Sequence, residues 1–320
     1  MQDQTKHSSK EHTLPQNQNP VLRALRRSRG RWRLLAVLAI IATIVALAAR
    51  LNNDFIAPEK DYTALVVVEG VVVTDPSRLE VFEKLAEDDR VKAVIIRINS
   101  PGGTTAGGEE LYDAISRLRE QKPVVSIINE LGASAAYMGA IAADRVFARR
   151  LSLVGSIGVL FQSVNASGLL DTIGIDFDKV SSGALKAEPD IDEAMSDEVR
   201  ASLQALVDDS FGWFVDIVAD RRGLSRTEAM ALSDGRIVNG RVALNVGLID
   251  EIGGQAEALS WLEAQNVEKD LPVWQVYPRA ESFEERFIRL LGEQASSVIG
   301  INGALPAKLP LDGLISLWQL

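Results

Sequence analysis

The chain of 320 residues contains no cysteine. Disulfides, thiol nucleophiles and cysteine-ligated zinc are thereby excluded. The absence fits an oxidising compartment without establishing one. Histidine is almost as scarce: its two copies, His7 and His12, both lie in the polar N-terminal tail. The rest of the chain has no imidazole, so neither a Ser-His-Asp triad nor a histidine-ligated metal site can be built there. A serine nucleophile would need a Lys, Asp, Glu or amine as its base, and lysine is the best attested of these. Long apolar runs are missing as well. Leu34 to Ala49 is uncharged for 16 residues, short of the roughly 20 that a membrane helix needs.

What is present is divided sharply by charge. Residues 1–33 hold eight Lys/Arg against Asp3 and Glu11, a net of +6, so the remainder carries −16 of the overall −10. An acidic body gives no support for nucleic-acid binding. Residues 1–31 read as a basic, partly disordered tail. Extending the apolar run to Trp32–Leu51, with Arg33 and Arg50 snorkelling, reaches about 30 Å at about 1.5 Å per residue. The expectation is therefore a transmembrane anchor at 32–51. The arginine block sets the N-terminus on the cytoplasmic side and the body beyond the membrane. Ala46-Leu-Ala48 resembles a signal-peptide cleavage site, but the long tail ahead of the run favours an uncleaved anchor. Residues 52–62 form a polar linker.

Beyond the linker the pattern alternates. Thr63–Val73 reads as one or two strands around Gly70, Arg78–Glu87 as a helix, and Val91–Ile98 as a strand. Asn99-Ser-Pro-Gly-Gly103 reads as a turn, and Ala106–Gln121 as a helix. Pro123–Ile128 and Arg145–Ala148 read as strands, Ser152–Val159 as a glycine-punctuated turn into a strand, and Ile175–Val180 as a further strand. A long helix spans Ser196–Arg222, and Ser225-Arg-Thr-Glu228 fits a capping box. Strands alternating with helices of this length predict an α/β fold whose mostly parallel sheet is covered on both faces.

Within this frame one stretch carries chemistry. Asn129-Glu-Leu-Gly-Ala-Ser134-Ala-Ala-Tyr-Met138 joins a buried strand to a small-residue helix. A serine at such a turn presents its hydroxyl at a helix N-terminus, where free N–H groups can hold an oxyanion. The logic is that of a nucleophile elbow, although Gly-x-Ser-x-Gly is absent. The plainer alternative is an N-capping serine in a close helix–sheet contact. Asn99–Gly103 is likewise either a simple turn or a glycine loop at the carboxyl end of a parallel strand. In the second case the N–H of Gly102 or Gly103 would join that of Ala135 in an oxyanion hole. A general-base lysine must lose its proton near neutral pH, a fall from about 10.4 to about 7–8 that burial or a positive neighbour produces and a salt bridge opposes. Lys186, in the loop Ser181-Ser-Gly-Ala-Leu-Lys186, is one candidate, with Glu188 the nearest acid.

Several segments together resemble one family. Ile98–Gly103, Gly132–Tyr137, Gly155–Val159, Ser181–Lys186, Asp234-Gly-Arg236 and Gly247-Leu-Ile-Asp250 occur in its order. The chain is similar to the signal peptide peptidase A family of membrane-anchored serine peptidases, related in fold to Clp protease and the crotonases. The resemblance covers roughly residues 60–265. It implies Clp protease/crotonase-like ββα units in a peptidase domain at 63–268, with 269–320 as a C-terminal extension. It also implies Ser134 as nucleophile, Lys186 as general base, Gly102 or Gly103 and Ala135 as oxyanion donors, and Ser156 orienting the lysine. It further implies leftover signal peptides and other small apolar peptides as substrates, a homo-oligomeric ring, and no metal or cofactor. Two other readings stay open: a non-catalytic anchored scaffold, and a crotonase-like acyl-CoA enzyme using the glycine-loop amides.

Overall fold

A computed structural model describes residues 32–33, 35–40, 43 and 59–278, and the backbone of 315–317. The expected anchor at 32–51 lies mostly outside the described residues; those described there are exposed, and 35–40 are helical. Among the described residues no helix is long and apolar enough to cross a membrane.

The first strand, β1 (Tyr62–Val72), is apolar without interruption over Ala64–Val68 and buried on both faces there, as a central parallel strand must be. Its pairing with the next strand shifts between Glu69 and Val71, where Gly70 adopts φ +69 and supplies a bulge. Helix α1 (Pro76–Glu87) follows, opened by Asp75, which accepts from the N–H groups of Ser77 at 2.9 Å and Arg78 at 3.1 Å. Strand β2 (Val91–Thr104) leads into helix α2 (Thr105–Arg119), capped by Thr104 accepting from Gly107 N–H at 3.0 Å. Strand β3 (Val124–Ala133) then enters helix α3 (Ala135–Ile141) through Ser134 alone. Two short strands, β4 (Arg145–Ala148) and β5 (Leu153–Gly155), come next, and helix α4 (Ser167–Ile173) lies on a long connection to helix α5 (Asp197–Arg222). Helix α6 (Arg226–Leu232), β6 (Ile237–Asn239), α7 (Gly240–Asn245), β7 (Glu251–Ile252), α8 (Gln255–Ala264) and β8 (Val273–Tyr277) complete the continuous part. Residues 315–317 form β9.

The sheet runs β6-β5-β3-β2-β1-β8. Strand β3 serves two neighbours in succession: Val125–Ile128 pair with β4, and Leu131–Ala133 pair with β5. All pairings are parallel except β5–β6 and β2–β9, so the sheet is mixed but mostly parallel. Alternate residues sort to opposite faces. Val66, Val68, Val94, Ile96 and Ile98 join the larger core with helices α1, α2, α3 and α5. Leu65, Val67, Ala93 and Ile95 pack under Ala258 and Leu262 of α8. This is the expected α/β sheet covered on both faces.

Two local expectations fail. Asn99–Gly103 is not a turn: β2 continues to Thr104, because Gly102 and Gly103 find partners in Val71 and Val72 of the lengthened β1. Ile175–Val180 is not a strand. It pairs with nothing in the sheet, and Val180 is 99% exposed. Its β-branched composition therefore reports an apolar surface rather than a ladder.

Candidate active site

Parallel register brings the candidate residues to one end of the sheet. Ser100 pairs with Gly132, Gly132 with Val154, and Ala133 with Gly155. Ser134 and Ser156 therefore leave adjacent strands at the same level. Both are buried and both have positive φ, 56° and 51°, which is rare and costly for a non-glycine residue. Ser134 is fixed from both sides: its N–H donates to the Gly155 carbonyl at 2.8 Å, and its carbonyl accepts from Tyr137 N–H at 2.8 Å. Its hydroxyl makes no capping bond to helix α3. That separates it from the ordinary N-capping serine, whose oxygen accepts from the first turn. The leading N–H groups of α3, those of Ala135 and Ala136, belong to the donors that a helix leaves without intrahelical partners.

Ser156 is placed by the Asp234-Gly-Arg236 turn. The Arg236 carbonyl accepts from Ser156 N–H at 2.8 Å, and Gly235 N–H, at φ +82, donates to the Ile157 carbonyl at 3.2 Å. The two glycines of β2 differ. Gly102 N–H donates to Ser100 Oγ at 3.1 Å. Gly103 lies so close to β1 that an added Cβ would stand 1.7 Å from the Val72 carbonyl oxygen. Only glycine fits that approach.

The wall behind Ser134 is closely packed. All seven residues of α3 are buried. Gly108 and Gly139 let α2 and α3 touch: a Cβ at Gly108 would meet Ala135 Cβ at 2.9 Å, and one at Gly139 would meet Leu111 at 2.5 Å. The far end of α3 is held by Arg221, whose guanidinium donates to the carbonyls of Ile141 at 2.8 Å and Ala143 at 2.6 Å. A cation there also suits the helix dipole. Arg222 pairs in two-pronged fashion with Asp250, at 2.7 and 3.1 Å, and Asp250 also accepts from Val146 N–H at 2.7 Å. Tyr137 donates its hydroxyl proton to the Leu248 carbonyl at 2.7 Å, and burial pushes its pKa well up. The segment Gly247-Leu-Ile-Asp250 is thus a clamp joining α3, α5 and β4. Sequence reasoning missed Arg221 and Arg222. Their only visible signal was a pair of cations in the last turn of a long helix.

Lys186 is placed differently. It is exposed, on the connection between β5 and α5, with its N–H donating to the Gly183 carbonyl at 3.0 Å. On the same connection Phe161, Val164, Ile173, Phe177, Val180 and Leu185 are all exposed. The acid expected beside it is occupied elsewhere: Lys179 pairs with both Glu188 and Asp190. Register brings Ser134, Ser156 and the glycines together; Lys186 stands on the exposed arm.

The fold and site define an α/β protein with a serine strained into a strand-to-helix turn, beside a strand end that only glycine can form. Residues 116–268 match the model of peptidase family S49. Among curated relatives, a putative protease of Synechocystis sp. is 35% identical over 178 residues, covering 56% of this chain and 64% of that protein. A putative signal peptide peptidase SppA of Enterococcus faecium is 32% identical over 192 residues, covering 60% of this chain and 56% of that protein. The chain thus spans about three-fifths of the length of these relatives. A solved membrane-bound stomatin-specific protease overlays with a TM-score of 0.45 at 14% identity, covering 69% of this chain and all of that one.

Proposed function

We propose that this protein is a membrane-anchored serine endopeptidase with a Clp-protease-like arrangement. Ser134 is its nucleophile, Lys186 its general base, and remnant signal peptides and other small apolar peptides are its substrates. The observation that carries the reading is Ser134 itself. It is a buried serine held at φ 56 between β3 and α3, with its hydroxyl withheld from capping. Strain of this kind costs on the order of 1–3 kcal/mol and persists where the surroundings enforce it, typically at reacting groups.

In this mechanism the amine of Lys186 takes the Ser134 hydroxyl proton as Oγ attacks the peptide carbonyl. The lysine then returns the proton to the leaving amine, leaving an acyl-enzyme for water to hydrolyse. The amides of Ala135 and Gly103 stabilise the oxyanion; Gly102 is the weaker candidate because its N–H is engaged by Ser100. Ser156, level with Ser134 on the neighbouring strand, orients the lysine. The base must be dried, and the exposed apolar arm around Lys186 supports a second copy of the chain covering it in a homo-oligomer. The arginine block ahead of residues 32–51 supports a cytoplasmic N-terminus and an exported catalytic body.

Ser134→Ala and Lys186→Ala should each abolish peptide hydrolysis with the fold retained by circular dichroism. A fluorophosphonate should label the unmodified protein at Ser134. Full hydrolysis in either variant removes that residue from the mechanism, and absence of labelling removes the nucleophile assignment.

A further inference from the structure

The loop that bears Lys186 also carries a charge cluster that the reaction does not use. The carboxylates of Glu188, Asp190 and Glu193 lie within 4.8 Å of one another. Lys179 reaches across nine residues of sequence to pair with Glu188 and across eleven to pair with Asp190. The Glu188 side chain is only 9% exposed, while Lys186, two residues earlier, is exposed. Between them Ala187 takes φ 68, in the left-handed region that a side-chain-bearing residue rarely enters. The chain therefore turns sharply between the lysine and the glutamate. Among the described residues, Lys186 makes no ion pair, and Lys179 pairs with Glu188 and Asp190 alone; no charged group from another element joins either one. The two pairs keep Lys179 firmly protonated.

We propose that Lys179 is a positioning residue for the general base: by engaging Glu188 and Asp190, it keeps their carboxylates off the Lys186 amine. The inference rests on the Ser134–Lys186 reading. A carboxylate released beside Lys186 would favour its protonated form, and a protonated amine cannot accept the serine proton. The loop is acidic, so a base without such protection would sit next to the acids best able to silence it. Lys179 acts through Glu188 and Asp190 and touches no reacting atom.

The test is the pH profile of kcat/KM for the full chain on a fluorogenic peptide with small apolar side chains at the cut. In Lys179→Gln the acid limb should move up by about one pH unit, a roughly tenfold loss on that limb, with the alkaline plateau preserved. Lys179→Arg should keep the limb in place. The triple variant Lys179→Gln, Glu188→Gln, Asp190→Asn should return it, because neither carboxylate that Lys179 engages remains to be released. An unmoved limb in Lys179→Gln overturns the proposal. So does an equal loss at every pH that the triple variant does not restore, since that is the mark of a purely structural residue. If Lys179→Gln does not fold, Lys179→Met and the triple variant carry the same comparison. The underlying reading is scored separately: hydrolysis retained by Ser134→Ala or Lys186→Ala sinks the dyad, whatever the Lys179 variants do.

Discussion

Replacing Asp250 with alanine should unfasten the support behind Ser134 without touching the proposed chemistry. The carboxylate makes two charge-assisted bonds to Arg222 and accepts from Val146 N–H. The Arg222 side chain is 8% exposed and that of Asp250 28%. Breaking a buried pair from one side costs about 3–5 kcal/mol, because the remaining charge is stranded. Here the cost falls near the lower end. Arg222 keeps its 2.7 Å bond to the Gly247 carbonyl, and the partial exposure of Asp250 lets water reach the gap. A loss of about 3 kcal/mol in a body of this size lowers Tm by roughly 6–12 °C. Asp250→Asn keeps an acceptor for Val146 N–H but loses the charge, and should cost about half as much. Tyr137→Phe, which removes a single buried hydroxyl bond, should cost about 1 kcal/mol. Urea and thermal unfolding read all three, with hydrolysis measured below the onset of melting. If Asp250→Ala unfolds within 1 kcal/mol of the parent yet loses hydrolysis, the residue belongs to the chemistry and the clamp argument is wrong.

Three further outcomes follow from the same geometry. Gly103→Ala places a methyl 1.7 Å from the Val72 carbonyl oxygen and must part the ends of β1 and β2. The expected loss is about 3 kcal/mol or more, seen as a lowered Tm or insoluble protein. Gly70→Ala meets nothing within 4 Å, and its φ of +69 should cost only about 1–2 kcal/mol, so the pair separates clash from backbone strain. The Tyr277 phenol is pushed up to about 12 by burial and by its hydrogen bond to Asp75. An acid whose folded value lies above its unfolded value of about 10 contributes stability below pH 10 and loses it as pH rises from 10 towards 12. Unfolding curves across that window should show a smaller loss in Tyr277→Phe than in the parent, the remainder coming from Tyr137 and Tyr62, whose phenols burial also pushes up.

The sequence disclosed the parts of the molecule governed by local rules. Continuous β-branched runs announced β1, β2 and β3, because strands buried on both faces have no polar face to interrupt them. Ser225 and Glu228 announced their helix by capping chemistry, and both bonds of the capping box are formed. The serine turn was visible as a strand-to-helix junction of small residues, but its strain was not, since φ 56 at Ser134 is imposed by Gly155 on another strand. The same limit hid the extension of β2 and the arginines behind α3, whose partners lie about 80 residues earlier for Arg221 and 28 later for Arg222–Asp250. Ile175–Val180 misled in the opposite direction: its composition suits a strand, but among the described residues it pairs with no strand. Glu188 was legible as the nearest acid to Lys186, but the cation that engages it, Lys179, is brought in by the loop's own folding.

The proposed dyad would join a fully buried helix to one of the most exposed connections among the described residues. Helix α3 is sealed on every side and tied at its far end, whereas the arm carrying Lys186 shows most of its apolar side chains to solvent. Opening events with low free energy are drawn from such thinly packed segments and leave sealed helices untouched. On warming, the amine would drift from its station while the alcohol stayed in place, so turnover would have its own, lower melting curve inside an otherwise intact body.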